Sequence, residues 1–241
     1  MALYTMADLH LSESSGHPMD VFGARWQNYT EKIVKNWRAL ITHEDTVVIP
    51  GDFSWAMHLA SAREDLPHIH AQPGKKIIGK GNHDFWWEPA AKCGRFFAEH
   101  GIADFTLLYN NALVVEDFIL AGTRGWFLEK EQQNTVGEVD YDKIINRELC
   151  RLKLSLEAAT ALKTGEHGSK EILVFLHFPP VWGDFVWREA IDLLKFFGIR
   201  RCYFGHIHGN YHAPRVQEFE GISLFLISSD TLNFVPLRIF P

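Results

Sequence analysis

Short apolar runs and longer amphipathic stretches alternate along the first hundred residues. Ala2 to Ala7 reads as a buried strand, and Phe22, Trp26, Ile33, Trp37, Leu40 and Ile41 then recur at helical spacing. Thr46-Val47-Val48-Ile49 predicts a second strand, stopped by Pro50-Gly51. A helix over Met57 to Ile69 follows, shortened or kinked by Pro67. A third strand, Lys76-Ile77-Ile78, runs into Gly79-Lys80-Gly81, and a third helix opens with Pro89 in its first turn and ends before Gly101. Beyond residue 110 the alternation changes. Ala112 to Val115 and Phe118 to Ala121, split by Glu116-Asp117, have the spacing of a hairpin. From Trp126 to about Gly137 the chain is polar and irregular, and from Val139 to Lys163 one helical face carries Ile144, Ile145, Leu149, Leu152 and Leu156. Glu171 to His177 and Arg201 to Phe204 read as buried strands with a helix, Phe185 to Phe197, between them. Ile222 to Ile227 and Phe234 to Ile239 predict a terminal strand pair.

No repeat, low-complexity tract or Pro/Ser-rich linker divides the 241 residues. They are read as a single domain, 1-241, with a loop-plus-helix segment at about 126-165 and an insertion-like loop at 129-137. Strand-helix units followed by a strand-rich middle and end predict an α/β fold, a four-layer α/β/β/α sandwich of two mixed sheets flanked by helices. Composition narrows the function classes. With 46% hydrophobic and 22% charged residues the chain is of ordinary globular make-up. A net charge of -6 makes nucleic acid an unexpected partner, since binding to phosphate backbones exploits a basic balance. No apolar run approaches the roughly 18 to 20 residues of a membrane span. The opening residues lack the basic and apolar regions of a secretory leader. Cys93, Cys150 and Cys202 are far apart and form no Cys-x-x-Cys pair, which argues against a disulfide framework and fits a reducing, cytoplasmic location. Oligomeric state is not readable. Histidine, at 13 residues, is the unusual count, and its positions matter more than its number.

Five predicted strands end in side chains able to bind metal: Asp8-Leu9-His10, Gly51-Asp52, Gly81-Asn82-His83-Asp84, His177, and Gly205-His206-Ile207-His208. Carboxyl ends of strands in open α/β sheets are where ligands bind, so residues distant in sequence can converge there. Residues two apart on an extended segment point to the same side, so Asp8 with His10, and His206 with His208, can each face one centre. Glycines 51, 81 and 205 allow tight turns at the site. These blocks, in this order over positions 8 to 208, resemble the five-block signature of the calcineurin-like metallophosphoesterases. The resemblance implies one metal held by Asp8, His10 and His208, a second held by Asn82, His177 and His206, and Asp52 bridging the two. It implies two divalent transition-metal ions, Mn first with Fe, Zn, Co and Ni as alternatives, because mixed carboxylate and imidazole ligands suit these better than Ca or Mg. It also implies hydrolysis of a phosphodiester or phosphomonoester by a hydroxide shared between the ions. His83 would then stand near the leaving-group oxygen, as general acid or as a donor to a phosphoryl oxygen, with Asp84 fixing its orientation. Asn82 and His83 would also face substrate, and Arg124, after a predicted strand, could supply a fork of donors to phosphate oxygens. Many members of the family carry an acidic residue shortly after the Gly-Asp block, where this chain has Phe53-Ser54-Trp55.

Each residue also has a plainer reading. Asp8 alone reads as a turn or cap carboxylate, and His177 alone as a satisfied core histidine. Histidines 17, 43, 58, 68, 70, 100, 167 and 212 lie outside the blocks and read as surface or structural, His58 being the nearest to the Asp52 loop. Trp55, Trp86, Trp87, Trp126 and Trp182 follow site blocks or strand ends, and either pack the sheet ends or form an aromatic wall beside the site. A wall would favour a nucleoside, aryl or lipid-bearing phosphate. The expected partner is a small-molecule phosphate ester, with a nucleotide-like diester placed ahead of monoesters, phosphoprotein and nucleotide-lipid pyrophosphates. The rival readings are a non-catalytic interaction module that keeps the fold, and a mononuclear oxygenase, for which the ligands are too many.

Overall fold

In the computed structural model residues 1–126, 141–212 and 214–241 are described, and the polar loop expected at 129-137 lies outside them. The first sheet has the order β13-β1-β2-β3-β4, with strands β1 (Leu3–Thr5), β2 (Thr46–Pro50), β3 (Lys75–Gly79) and β4 (Phe105–Leu107) parallel and β13 (Leu237–Ile239) antiparallel on its edge. The second sheet has the order β11-β12-β10-β7-β6-β5. Its centre is parallel: β6 (Phe118–Thr123), β7 (Glu171–Leu176), β10 (Arg201–Phe204) and β12 (Ile222–Leu226). Antiparallel β5 (Ala112–Val115) and β11 (Val216–Phe219) form its edges. Two sheets, both mixed, are flanked by helices, as the sequence predicts.

The period-2 pattern shows how the layers stack. Along the second sheet, Leu120, Leu173, Phe175 and Tyr203 belong to the core shared with the first sheet, while Ile119, Ala121, Ile172, Val174, Cys202 and Phe204 belong to a core on the opposite face. Both faces are therefore covered, which is why these strands read as continuous apolar runs. Phe175, Tyr203 and Phe225 stack in a row on the inner face, with centroids 5.1 and 4.6 Å apart. Helices α4 (Tyr141–Leu162) and α5 (Arg188–Phe196) cover the outer face of the second sheet through Leu152, Leu156, Ala159, Ile191 and Leu194. Helices α1 (Tyr29–Leu40) and α3 (Ala90–Glu99) pack Ile33, Trp37, Cys93 and Phe97 into the core of the first sheet.

Several boundaries differ from the periodicity, each for a local reason. The first helix starts at Tyr29 rather than near Phe22, because Gly23 at φ +118° and Asn28 at φ +53° break the run into two 3-10 turns before it. The expected 57-69 helix is a 3-10 turn, Ser61–Glu64, and a five-residue helix α2 (Leu66–His70) entered at Pro67. Pro89 is the cap of α3, not part of its first turn. Phe185–Val186 pairs with Val181–Trp182 as a small hairpin, β8 and β9, so α5 starts three residues later than expected. The terminal strands do not pair with each other: β12 joins β10 and β11, whereas β13 crosses to β1.

Candidate metal centre

The two sheets meet where their parallel strands end. Ala7, beyond β1, bridges to Ser228, beyond β12, and the ladder between the first two strands continues past both, with Asp8 N donating to Gly51 O and His10 N to Asp52 O, each at 3.0 Å. This convergence needs glycine. A Cβ on Gly51 would lie 2.7 Å from Gly81 N and from His177 Nδ1, and one on Gly205 would fall on the Asp8 carboxylate. Four of the side chains collected here come from backbone that L-residues rarely adopt: Asp8, His10, Asp52 and His206 have φ of +61°, +47°, +50° and +69°.

Asp8, His10 and His208 form one cluster of potential ligands, and Asp52, His177 and His206 a second. In the first, the Nε2 atoms of His10 and His208 approach to 3.1 Å, and His208 Nε2 lies 3.8 Å from Asp8 Oδ1. In the second, His177 Nε2 is 3.4 Å from Asp52 Oδ2 and 2.7 Å from Asn82 Oδ1, which brings Asn82 alongside. Asp52 Oδ2 is also 3.7 Å from His10 Nε2, so one carboxylate oxygen reaches both clusters. Asp8 and His10 share a cluster although both are left-handed rather than extended, whereas His206 and His208 go to different clusters. The remaining histidines, His58 among them, are in neither cluster.

Burial sets the protonation of the site. It holds His10 and His177 well below the ordinary imidazole range, and burial with the neighbouring His208 and His83 lowers His206 to about 4. The same burial raises Asp8 to about 6 and, with the nearby Asp8 and Asp84 carboxylates, lifts Asp52 well above its ordinary value. For His208 burial is outweighed by its hydrogen bond to Asp230 and by Asp8, and its pKa is raised. The ion-pair partners of Asp8 and Asp52 are all histidines, and three of the buried nitrogens without a hydrogen-bond partner, His10 Nδ1, His83 Nδ1 and His177 Nδ1, gather here. Neutral imidazoles beside buried carboxylates are the donor set that divalent transition metals take, so the residues fit such ions.

One family profile, calcineurin-like phosphoesterase, matches residues 1–210. The chain belongs to the calcineurin-like phosphoesterase family. Membership supports a metal-dependent phosphohydrolase. No curated protein matches the chain significantly. Among solved structures, this calcineurin-like phosphoesterase is similar to a phosphopantetheinyl hydrolase from Mycobacterium tuberculosis, with TM-score 0.55 and 14% identity over 100% of this chain and 96% of that one. It is also similar to a protein of unknown function from Aquifex aeolicus, with TM-score 0.52 and 16% identity over 98% and 95% of the two chains. At such identities the likeness is one of fold.

Around the clusters the structure rearranges three sequence expectations. Among the described residues, the Asp84 carboxylate makes no hydrogen bond to the His83 ring. That buried carboxylate accepts from the backbone N–H groups of Asp52, Phe53, Ser54 and Gly81 and from Trp86 Nε1, at 2.7 to 3.3 Å, and so ties the second and third strand-end loops together. His83 instead packs against Trp55, centroids 4.0 Å apart. Arg124 lies against the fully buried Glu148 of α4, 3.4 Å away, and over Trp126, rather than in either cluster. Of the five tryptophans, Trp55 flanks His10 and His83, Trp86 is fully buried core, and Trp182 packs on Phe204. Asp230 was not singled out by sequence. It is fully buried, and its Oδ1 accepts from His208 Nδ1 at 2.9 Å while Oδ2 takes Gly209 N and the Tyr211 hydroxyl. Its one sequence signal is that it follows the end of a buried strand, as the five blocks do.

Proposed function

We propose that this chain hydrolyses a small-molecule phosphoester at a two-metal centre in which Asp8, His10 and His208 hold one ion, Asn82, His177 and His206 the other, and Asp52 both. The observation that carries this reading is the reach of Asp52 Oδ2 to His10 Nε2 at 3.7 Å and to His177 Nε2 at 3.4 Å. Mn²⁺ is the first choice of ion, with Fe, Zn, Co and Ni as alternatives. Ions bound there would polarise the phosphoryl oxygens, lower the pKa of a water and offset the charge that develops on phosphorus. The chain's own residues do the rest. Asp230 fixes the ring of His208 through Nδ1, leaving Nε2 toward the first cluster. The backbone N–H of His83 holds Asp52 Oδ1 at 2.8 Å, so Oδ2 faces the clusters. His83 itself, one third exposed with Nε2 4.0 Å from Asp52 Oδ2, stands at the open side. Burial lowers its pKa to about 4, so at neutral pH it is an uncharged imidazole that can donate one N–H to an oxygen of the ester. As water oxygen bonds to phosphorus, the bond from phosphorus to the alcohol oxygen breaks; the proton given up by the water balances the one the departing oxygen takes up from solvent, and the neutral His83 N–H stabilises that oxygen as a hydrogen-bond donor.

The test is hydrolysis of p-nitrophenyl phosphate and bis-p-nitrophenyl phosphate with and without Mn²⁺, beside metal analysis of wild type and Asp52→Ala. The reading expects about two ions per chain, turnover that needs metal, and loss of both in Asp52→Ala. His83→Ala should lower kcat by about 100-fold or more with the metal retained. A protein that binds no metal and turns over neither ester would instead be an interaction module on the same fold.

A further inference from the structure

A cavity of about 680 Å³ beside the two clusters takes no part in the chemistry described so far. Pro18, Val21, Phe22, Trp55, Met57 and Phe85 line it. Val21, Phe22, Met57 and Phe85 are 78%, 68%, 58% and 53% exposed, four large apolar side chains around one opening. Single exposed apolar residues are ordinary, but a contiguous group marks a binding surface. The polar side chains at the rim bond to protein groups, Ser14 outside its own turn and Ser15 and His17 within it. Ser14 Oγ donates to Asp65, Ser15 Oγ to Ser12 O, and His17 Nδ1 lies 2.6 Å from Ser15 O. Asp65 is itself fully buried and also accepts from Ser54 Oγ, so it pins the 14-18 turn to the segment that carries Trp55. The opening is thus a built feature with a mostly apolar lining.

Its position identifies the occupant. The Trp55 ring is wall to the cavity and also neighbour to His83 at 4.0 Å and His10 at 5.1 Å, and Phe85 stands 6.2 Å from His83. A group departing from phosphorus past His83 meets Trp55 and then the cavity. Methionine, valine and proline interleaved with rings suit a flexible aliphatic chain better than a flat ring. We propose that the cavity receives the alkyl chain of the alcohol moiety, so that the substrates are phosphoesters of aliphatic alcohols. This rests on the hydrolase reading and makes it specific.

Binding of n-alkylphosphonates from ethyl to octyl, whose P–C bond resists hydrolysis, can be followed by calorimetry on the Mn²⁺-loaded protein below micellar concentrations. A half-buried methylene tightens binding about twofold, so Kd should fall on the order of 60-fold from ethyl to octyl. The double variant Phe22→Ser with Met57→Ser, both at exposed positions, should flatten that slope. A flat series in the wild type, or a steep one that the double variant leaves unchanged, overturns the cavity assignment. Hydrolysis of p-nitrophenyl phosphate in the same preparation separates the two ideas. Turnover with a flat series overturns the cavity alone, whereas no metal-dependent turnover and no phosphonate binding overturns both.

Discussion

Replacing Asp84 with asparagine separates two accounts of a buried carboxylate. In the structure Oδ2 accepts from Asp52 N at 2.9 Å and Gly81 N at 2.7 Å, and Oδ1 from Phe53 N and Trp86 Nε1, both at 2.9 Å, and Ser54 N at 3.3 Å. The best orientation of an amide keeps its oxygen on the three donors and turns its NH₂ toward Asp52 N and Gly81 N. Two buried donors are then left facing a donor, at about 1–3 kcal/mol each. The expected loss is about 4 kcal/mol, a large part of the roughly 5–15 kcal/mol by which such a domain is stable. In urea the unfolding midpoint should fall by roughly 1–2 M for a slope of about 2–3 kcal/mol/M. Metal binding should weaken as well, because the loops so tied carry Asp52 and Asn82. The reasoning fails if Asp84→Asn unfolds within about 1 kcal/mol of wild type yet loses kcat by about 100-fold. Such a result would mean that the carboxylate acts on His83, as the sequence blocks alone had it.

Three further outcomes follow from single residues. Asp230→Asn keeps an acceptor for His208 Nδ1 but removes the charge behind it, and Mn²⁺ affinity measured by calorimetry should fall about 10- to 100-fold; an unchanged affinity would make Asp230 a merely structural residue. Asp45 lies away from the site, and burial would raise its pKa, but hydrogen bonds from Thr42 N, Thr42 Oγ1 and Ala2 N outweigh this and hold it below its ordinary value. A depressed carboxylate stabilises the fold above its unfolded pKa near 3.8, and that stability is lost as pH falls through the folded value. Asp45→Asn should therefore cost about 1–2 kcal/mol at pH 7 and progressively less as the pH falls below about 4, and a pH-independent difference in denaturation would refute it. Trp86→Ala should cost about 3–5 kcal/mol, as expected for a fully buried ring, and a change confined to KM would return Trp86 to the substrate wall.

The strands buried on both faces were the legible part of the fold. Val47 to Ile49, Ile172 to Leu176 and Cys202 to Phe204 show as unbroken apolar runs because neither face meets water. What escaped the pattern was short or exposed. Phe105–Leu107 has three residues, the 181-186 hairpin two per strand, and Val216–Phe219 puts Gln217 and Glu218 on a solvent edge. Periodicity also identifies a strand without its partner, which is how Ile222 to Ile227 and Phe234 to Ile239 came to be paired when they lie in different sheets. At the site, residue types and block order were legible, and the proposed ligand set comes from the resemblance they carry. The resemblance also divided His206 from His208; the left-handed backbone at residues 8, 10 and 206, for which the i, i+2 argument does not allow, was not legible. Nor were Asp65, Glu148 and Asp230, since an isolated carboxylate in sequence reads as surface until the fold closes over it.

Hydrogen bonds to the buried carboxylates of Asp8 and Asp84 explain how the site keeps an unfavourable geometry. Left-handed φ in a residue other than glycine costs on the order of 1 kcal/mol or more, and Asp8, His10, Asp52 and His206 all have it. The cost is met by hydrogen bonds that exist only in that conformation. His206 N donates to both oxygens of Asp8, at 3.1 and 3.0 Å, Asp52 N reaches Asp84, and Ser229 Oγ holds Asp8 O at 2.7 Å. The carboxylates of Asp8 and Asp52 are thus aimed by backbone donors, and those donors are placed by strand ends that glycines 51, 81 and 205 let approach. Regular extended strands would present alternate residues to one face and could not send His206 and His208 to two centres a few ångströms apart. The departure from regular strand geometry is what lets one strand-end tripeptide contribute a histidine to each of the two clusters.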